Sequence, residues 1–398
     1  MPVFFGSIKM KRMREEDSLP FKTLKALEYA GLSQVVAGKR VAVKVHLGEG
    51  TNFATPHPGM VRLVINKIKQ AGGQPFVMHS WGALNGYERG YTAETLGCPV
   101  IPTGGSQERY AYVHPTGDPH LREVKVAGEI EDAEALVVIS HVKGHGSTGM
   151  GGALKNIGIG MLAAESRGAI HQLIATVPYW NADRCHSAQP CRSCFDACPV
   201  DAPHWSGANK DELHIDVHAC TYCGRCEEVC PTQALHLDGP AMFGAFQHGM
   251  ALAAREVLRT FSPDHILFVN LILHVTPWCD CSPFTQPAFL RDVGVLVSRD
   301  PVAIDAATLD LLAKEEVLVD MVPDSFKVGG KLVGSGHPFQ QVLGTVKNPY
   351  RQVEEAARLG VGRRQYELYD VETISPEQAA QWRAITPPSA VGAPAQAH

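Results

Sequence analysis

Several things are scarce in this sequence, and each scarcity excludes something. No stretch reaches the roughly 18 apolar residues that a membrane-crossing helix requires. The short cationic run from Lys9 to Arg14 is followed by no apolar segment of signal-peptide length. A basic surplus is also missing: 36 Lys and Arg face 41 Asp and Glu, a net charge of −5, so nothing is available to neutralise a phosphate backbone. These absences lead to the expectation of a cytoplasmic protein with no membrane and no nucleic-acid partner. What remains is ordinary globular composition, 45% apolar and 19% charged over 398 residues, enough chain for two or three domains.

Cysteine is the residue in excess. There are eleven, and in a reducing compartment so many point to metal or redox chemistry rather than structural disulfides. Cys220, Cys223, Cys226 and Cys230, followed by Pro231, form C-x2-C-x2-C-x3-C-P, the run in which three close thiolates hold one [4Fe-4S] cluster and the fourth reaches a second. A single zinc site would not explain another group, Cys191, Cys194 and Cys198 before Pro199. Crossed ligation assigns Cys198, Cys220, Cys223 and Cys226 to one cluster. The other takes Cys191, Cys194, Cys230 and one further ligand, which regular spacing would put at Ala188. Cys185 can serve if Ala188, Gln189 and Pro190 bulge outward, because so short a loop closes cheaply. The rival outcome is a [3Fe-4S] cluster, or an iron with a non-thiolate ligand such as His186. With the strand-like ELHIDV (212–217) between the runs, a ferredoxin-like module is expected over residues 182–238.

Outside the module the pattern changes. VAVKVHLGE (41–49), QPFVMHS (74–80) and EALVVISH (134–141) read as strands, with a helix over 58–70 and another near Thr92 to Leu96. HILFVNLILHV (265–275), VGVLVS (293–298) and the helix PVAIDAATLDLLAKE (301–315) resume the rhythm after the module. The fold class is therefore α/β: a mostly parallel sheet layered with helices, interrupted by an inserted bacterial-type 2[4Fe-4S] ferredoxin module. The expected divisions are a first part of the body at 1–181, the module at 182–238, the rest of the body at 239–345, and a helical extension with a Pro- and Ala-rich tail at 346–398.

Three groups look chemical. SHVKGHGSTGMGGALKNIGIGM (140–161) leaves a buried strand, passes through Gly144, Gly146, Gly149, Gly151 and Gly152, and enters a helix with Lys155 and Asn156. Such a turn exposes backbone N–H groups and makes an anion seat for phosphate or carboxylate. His141, Lys143, His145 and Lys155 crowd it and should depress one another's pKa values, and His171 is a further candidate. Lys44 and His46, two apart on a strand, share a face. In WCDCSP, Cys279 and Cys281 can chelate one metal jointly, or act as a ligand and a reactive thiol.

SHVKGH, GGALKNIGIGM, the twin cysteine runs, WCDCSP and SRDPVAIDAATLDLL, in this order, resemble the DUF362 family of iron-sulfur centre proteins over about residues 40–315. The resemblance implies an α/β body with an inserted pair of ferredoxin motifs, and the sequence departs from the regular pattern at Ala188. A fainter similarity links His145, the glycines, Lys155 and His171 to the nickel-pincer lactate racemases, whose arginine before the lysine is Leu154 here and which have no ferredoxin insert. It implies shared ancestry of the anion-binding body rather than nickel.

The expectation is an oxidoreductase. Two clusters would take electrons from a redox partner protein, a ferredoxin or reductase, and deliver them to a small anionic substrate or further cofactor. Lys155 and Lys44 would bind it, with His141 or His145 moving protons. Gly149, Gly151, Gly152, Asn156 and His171 would line the cofactor seat. A non-catalytic electron carrier or assembly partner is the first alternative, and a nickel-pincer-type racemase or epimerase the second.

Overall fold

A computed structural model describes residues 1–80, 84–185, 191–208 and 211–383. His186, Ala188, Gln189 and Pro190, on which the fourth-ligand question turned, and the Thr386 to His398 tail lie outside the described residues. Eight strands form the main sheet: β1 (Pro2–Ser7), β2 (Arg40–Val45), β3 (Gln74–His79), β4 (Val100–Pro102), β5 (Ala135–His141), β6 (Ile266–Ile272), β7 (Gly294–Ser298) and β8 (Glu367–Asp370). Their order across the sheet is β8-β1-β7-β6-β5-β2-β3-β4. The run from β6 to β4 is parallel throughout. Only β7 opposes its neighbours.

The strands form where β-branched and aliphatic residues run without interruption, and all seven residues of β5 are buried, as expected for a strand covered on both faces. Alternation then sorts the side chains. Val41, Val43, Val45, Val137 and Ile139 pack with α1 (Leu19–Tyr29) and α2 (Pro58–Gln70). Ala42, Leu136, Val138 and Phe268 face the opposite layer, made of α3 (Ala153–Gly158), α4 (Gly239–Arg259), α5 (Pro301–Leu312) and α6 (Tyr350–Arg358). Each such buried Val or Leu contributes about 1.5–3 kcal/mol, so the sheet is a rigid frame whose carboxyl edge can carry a site.

Three strands of the sheet escape the sequence reading, β1, the three-residue β4 and β8. β1 opens the chain and pairs with β7. The stretch after residue 346 is not purely helical: β8 returns to pair with β1, and Glu367 N donates to Met1 O at 2.8 Å. At this exposed edge strand, ELYD has no buried face to impose an alternating pattern.

The cysteine-rich segment is inserted in the body, since sheet strands precede and follow it. Its hairpin pairs Pro203–Ser206 with Glu212–Ile215, and a bridge between Trp180 and Leu235 closes its base. Each cysteine run carries a one-turn helix, Ser193–Asp196 and Arg225–Glu228. Among the described residues no helix is long and apolar enough to cross a membrane.

Candidate functional site

The cysteines of the insertion fall into two sets of four. Cys198, Cys220, Cys223 and Cys226 line one concavity, with Pro199, Ile215 and Leu237. Cys185, Cys191, Cys194 and Cys230 line the other, with Trp205, Leu213 and Leu235. Backbone N–H groups already aim at the sulfurs: Ala202 N to Cys198 Sγ and Tyr222 N to Cys220 Sγ at 3.3 Å, Ala234 N to Cys230 Sγ at 3.2 Å. Burial first, then Cys185, Cys191 and Cys230, push the Cys194 thiol up to about 11. Cys226 is driven to about 12 by burial and then by Cys220 and Cys223. Four mutually repelling sulfurs with amide donors around them are a donor set for a cationic metal group, and they fit an iron-sulfur cluster in each place.

A second concentration of chemistry sits at the carboxyl edge of the parallel strands, where such sheets carry their sites. β3 ends in His79, β2 carries Lys44 with His46 just beyond, β5 ends in His141, and the loop after β6 supplies Cys279, Asp280 and Cys281. Cys279 is the centre. It is fully buried, and Lys155 Nζ lies 3.2 Å from its sulfur. The amide of Cys281 donates to the same sulfur at 3.4 Å. His46 Nδ1 accepts from Gly48 N at 3.1 Å and His145 Nδ1 from Ser147 N at 3.2 Å. With Nδ1 accepting, each ring carries its proton on Nε2, and both rings hydrogen-bond Cys279.

Electrostatics follow from this shell. Burial alone would raise the Cys279 thiol, but the Cys281 hydrogen bond, the Lys155 charge and the two imidazoles hold it well below the usual thiol range. Cys281 moves up, because it donates to Cys279. Lys155 Nζ at 3.2 Å and the Cys281 amide at 3.4 Å favour negative charge on Cys279. At Lys155 burial is outweighed by the Cys279 charge, and the amine rises to about 12. Burial, then Lys155 and Lys143, push Lys44 well down; burial takes His46 to about 4 and lowers His145. Of the four groups expected to depress one another, His145 is lowered, by burial first and then by Lys155 and Lys143, while Lys155 goes the other way.

The glycine-rich loop is built for close approach. A Cβ on Gly144 would sit 1.8 Å from Pro277 O, one on Gly146 2.0 Å from His218 O, and one on Gly152 2.5 Å from Asp305 Oδ1. Gly149 has φ +79, and Gly151 passes against the Lys143 side chain. The amide seat at the start of α3 is filled from within: Asp305 accepts from Ala153 N and Leu154 N, both at 2.9 Å, and from Asn270 Nδ2 at 2.8 Å. This corrects the expectation of an open anion seat at Gly149, Gly151 and Gly152. Lys143 is also spoken for, by Asp280 at 2.9 Å. His141 holds Asp280 through Nδ1 at 2.8 Å and faces Leu273 O through Nε2 at 2.9 Å. Both its nitrogens are engaged, so its place is to fix Asp280 and not to exchange protons with a ligand.

Asn156 positions Lys44, accepting at 3.1 Å while its amide donates to Ile139 O and Ser140 Oγ. His171 is exposed, edge-on to Phe246 at 4.9 Å. Sequence reasoning missed Asp305, His79 and His218. The His79 ring lies tilted against His46 at 4.4 Å and its Nδ1 is 3.3 Å from Lys44 Nζ, while its Nε2 is buried with no hydrogen-bond partner among the described residues. The signal was available, a histidine ending a parallel strand. His218 comes from the inserted segment, two positions before Cys220, and its ring meets His145 at 4.9 Å. His145, Cys279 and Cys281 place one donor atom each within 4.8 Å of one another.

No curated protein matches the chain. Among solved structures, it is similar to the lactate racemase apoprotein from Thermoanaerobacterium thermosaccharolyticum, at 10% identity and a TM-score of 0.40, over 79% of this chain and 57% of that one. A Thermotoga maritima protein of known crystal structure matches at 11% identity and a TM-score of 0.32, over 63% of this chain and 50% of that one. The chain thus spans between half and three-fifths of these structures' lengths. The profile described as "Domain of unknown function (DUF362)" matches residues 41–310, which covers both halves of the body, the cysteine insertion and the Cys279 loop, and the chain belongs to the DUF362 family.

Proposed function

We propose that the protein is a cytoplasmic iron-sulfur oxidoreductase that accepts electrons from a redox partner protein, a ferredoxin or reductase, and uses them on a small substrate held beside Cys279. The observation that carries this reading is the division of eight cysteines into two sets of four, each ringing one concavity. Cys198, Cys220, Cys223 and Cys226 would hold one [4Fe-4S] cluster, and Cys185, Cys191, Cys194 and Cys230 the other. Such clusters supply single electrons at potentials set by burial and by hydrogen bonds to sulfur.

The rest of the chain's contribution is positional. His218 ties the insertion to the body: its ring meets His145 at 4.9 Å, Ser147 Oγ lies 3.2 Å from its Nδ1, and buried Lys347 donates to its carbonyl at 2.9 Å. The cysteine set containing Cys220 is therefore the one adjoining the thiolate site. Among the described residues, Lys44 and His79 have no carboxylate partner; Lys44 Nζ already meets Val45 O, His79 Nδ1 and Asn156 Oδ1, so an anionic substrate would have to displace one of these to reach it. Cys279 and its donors offer a fixed negative charge beside it.

The test is anaerobic purification with iron and sulfide quantification and EPR of the reduced protein. Two interacting [4Fe-4S] signals are expected. Colourless protein carrying zinc alone would overturn the reading. For the oxidoreductase against a plain carrier, Lys155→Ala is expected to abolish substrate turnover while leaving cluster reduction by the partner intact; unchanged turnover with every partner would favour the carrier.

A further inference from the structure

Cys279 and Cys281 stand at positions i and i+2 of a turn closed by Ser282 N donating to Cys279 O at 3.0 Å. Their sulfurs lie within 4.8 Å of each other, and a bond between them requires that separation to close to about 2 Å. By distance alone the same atoms with His145 could hold a metal ion. The imidazole tautomers oppose that. A metal on Nε2 requires the proton on Nδ1, and metal-bound histidines donate that proton to a carbonyl or carboxylate. Here Nδ1 of His46 and of His145 each faces a backbone N–H, of Gly48 and of Ser147, so moving the proton would set donor against donor. Lys155, at 3.2 Å from Cys279, already occupies the place of a cation.

The shell is that of a thiolate, and exposure differs sharply across the pair: Cys279 is fully buried and Cys281 is exposed. Resting on the electron-delivery reading above, we propose that Cys279 and Cys281 form a redox-active dithiol/disulfide couple whose substrate class is an accessible disulfide.

The chemistry balances as follows. Cys281 attacks one sulfur of the substrate disulfide while its proton passes to Cys279; a mixed disulfide forms and the first substrate thiolate leaves, taking that proton as a thiol. Cys279, again a thiolate, attacks the Cys281 sulfur; the Cys279–Cys281 bond forms, the mixed disulfide breaks, and the second substrate sulfur leaves as thiolate. Restoring the pair breaks the internal disulfide with two electrons, one from each of two reduced iron-sulfur donors, and one proton, giving the Cys279 thiolate and the Cys281 thiol. Lys155, His46 and His145 stabilise the reduced form, which makes the pair more oxidising than an ordinary dithiol.

The experiment equilibrates the full-length protein anaerobically in glutathione redox buffers, traps it with an alkylating agent and reads the Cys279–Cys281 peptide by mass spectrometry, with iron content measured on the same sample. An internal disulfide with a defined midpoint is expected, and Cys279→Ser is expected to accumulate a stable mixed disulfide of glutathione with Cys281. Lys155→Met is expected to shift the exchange equilibrium at least tenfold toward the disulfide, about 30 mV more negative. A pair that stays fully alkylatable in oxidised buffer, or zinc or nickel bound stoichiometrically and lost in Cys279→Ser, would overturn the proposal. Because glutathione exchange needs no iron, a protein without clusters that still forms the disulfide fails the electron-delivery reading alone, and one with both clusters but no disulfide fails this proposal alone.

Discussion

Replacing Asp280 by asparagine tests whether the Cys279 loop is held by charge. Asp280 is fully buried, with Lys143 Nζ at 2.9 Å and His141 Nδ1 at 2.8 Å. Burial opposes its ionisation, but His141 and Lys143 hold the carboxyl well below the usual range. At this separation one ion pair is worth about 6 kcal/mol with an effective dielectric near 20. Most of that offsets desolvation of the two ions, so the pair adds little net stability, while removing one partner leaves the other buried and uncompensated at about 3–5 kcal/mol. Asp280→Asn should therefore lower stability by about 3–5 kcal/mol, and Lys143→Met by a similar amount. The double variant should recover about 3 kcal/mol relative to additivity. The assay is urea unfolding of anaerobic protein followed by tryptophan fluorescence, comparing midpoints at constant slope. A loss below about 1 kcal/mol in Asp280→Asn, or additivity in the cycle, would refute the view that Asp280 is the internal counter-ion anchoring the thiolate loop.

Further outcomes can be checked independently. Cys226→Ala and Cys194→Ala should each lose roughly half of the bound iron, because each cysteine belongs to a different set of four, and the combined variant nearly all of it; loss of all iron in one single variant would break the two-set assignment. Gly144→Ala should cost more than about 4 kcal/mol or give no soluble protein, since its methyl group would meet Pro277 O at 1.8 Å, a backbone atom that cannot step aside. Asp305 has its pKa raised from 3.8 to about 6, by burial first, against three hydrogen bonds that lower it. A folded pKa above the unfolded one means that this contribution is complete below about 4 and is lost as pH rises through 6. Between pH 5 and 8 the wild type should lose about 1–2 kcal/mol that Asp305→Asn does not, measured as the difference between the two stability-pH slopes. His218→Ala should leave iron content unchanged but slow reduction of the internal disulfide by reduced clusters; an unchanged rate would remove His218 from the contact between insertion and body.

Much of the fold was legible in the sequence because burial on both faces forces strands to be continuously apolar. VAVKV and ALVVISH announced β2 and β5, and the inserted position of the cysteine runs followed from strands resuming after them. β4 and β8 were not legible because a short edge strand with no fully buried residue carries no pattern, and the largely buried β1 was passed over. In the site, Lys44, His141, His145, Lys155, Cys279 and Cys281 were legible as three separate groups, and the fold brings them to one edge of the sheet. Their partners were not. Asp305 sits on α5 among apolar residues, and His218 belongs to a different module.

Sequence alone therefore determined the composition of most elements and the concentration of spaced cysteines in one insertion, because spacing and periodicity are local properties. Who neutralises whom was decided only in three dimensions. Asp305 fills the glycine-rich seat, Asp280 takes Lys143, and Cys279 takes Lys155, turning an expected site for an outside anion into a shell around the protein's own thiolate. Buried charges are compensated by whichever opposite charge the packing brings within about 3 Å, and that neighbour can be a hundred or more residues away along the chain.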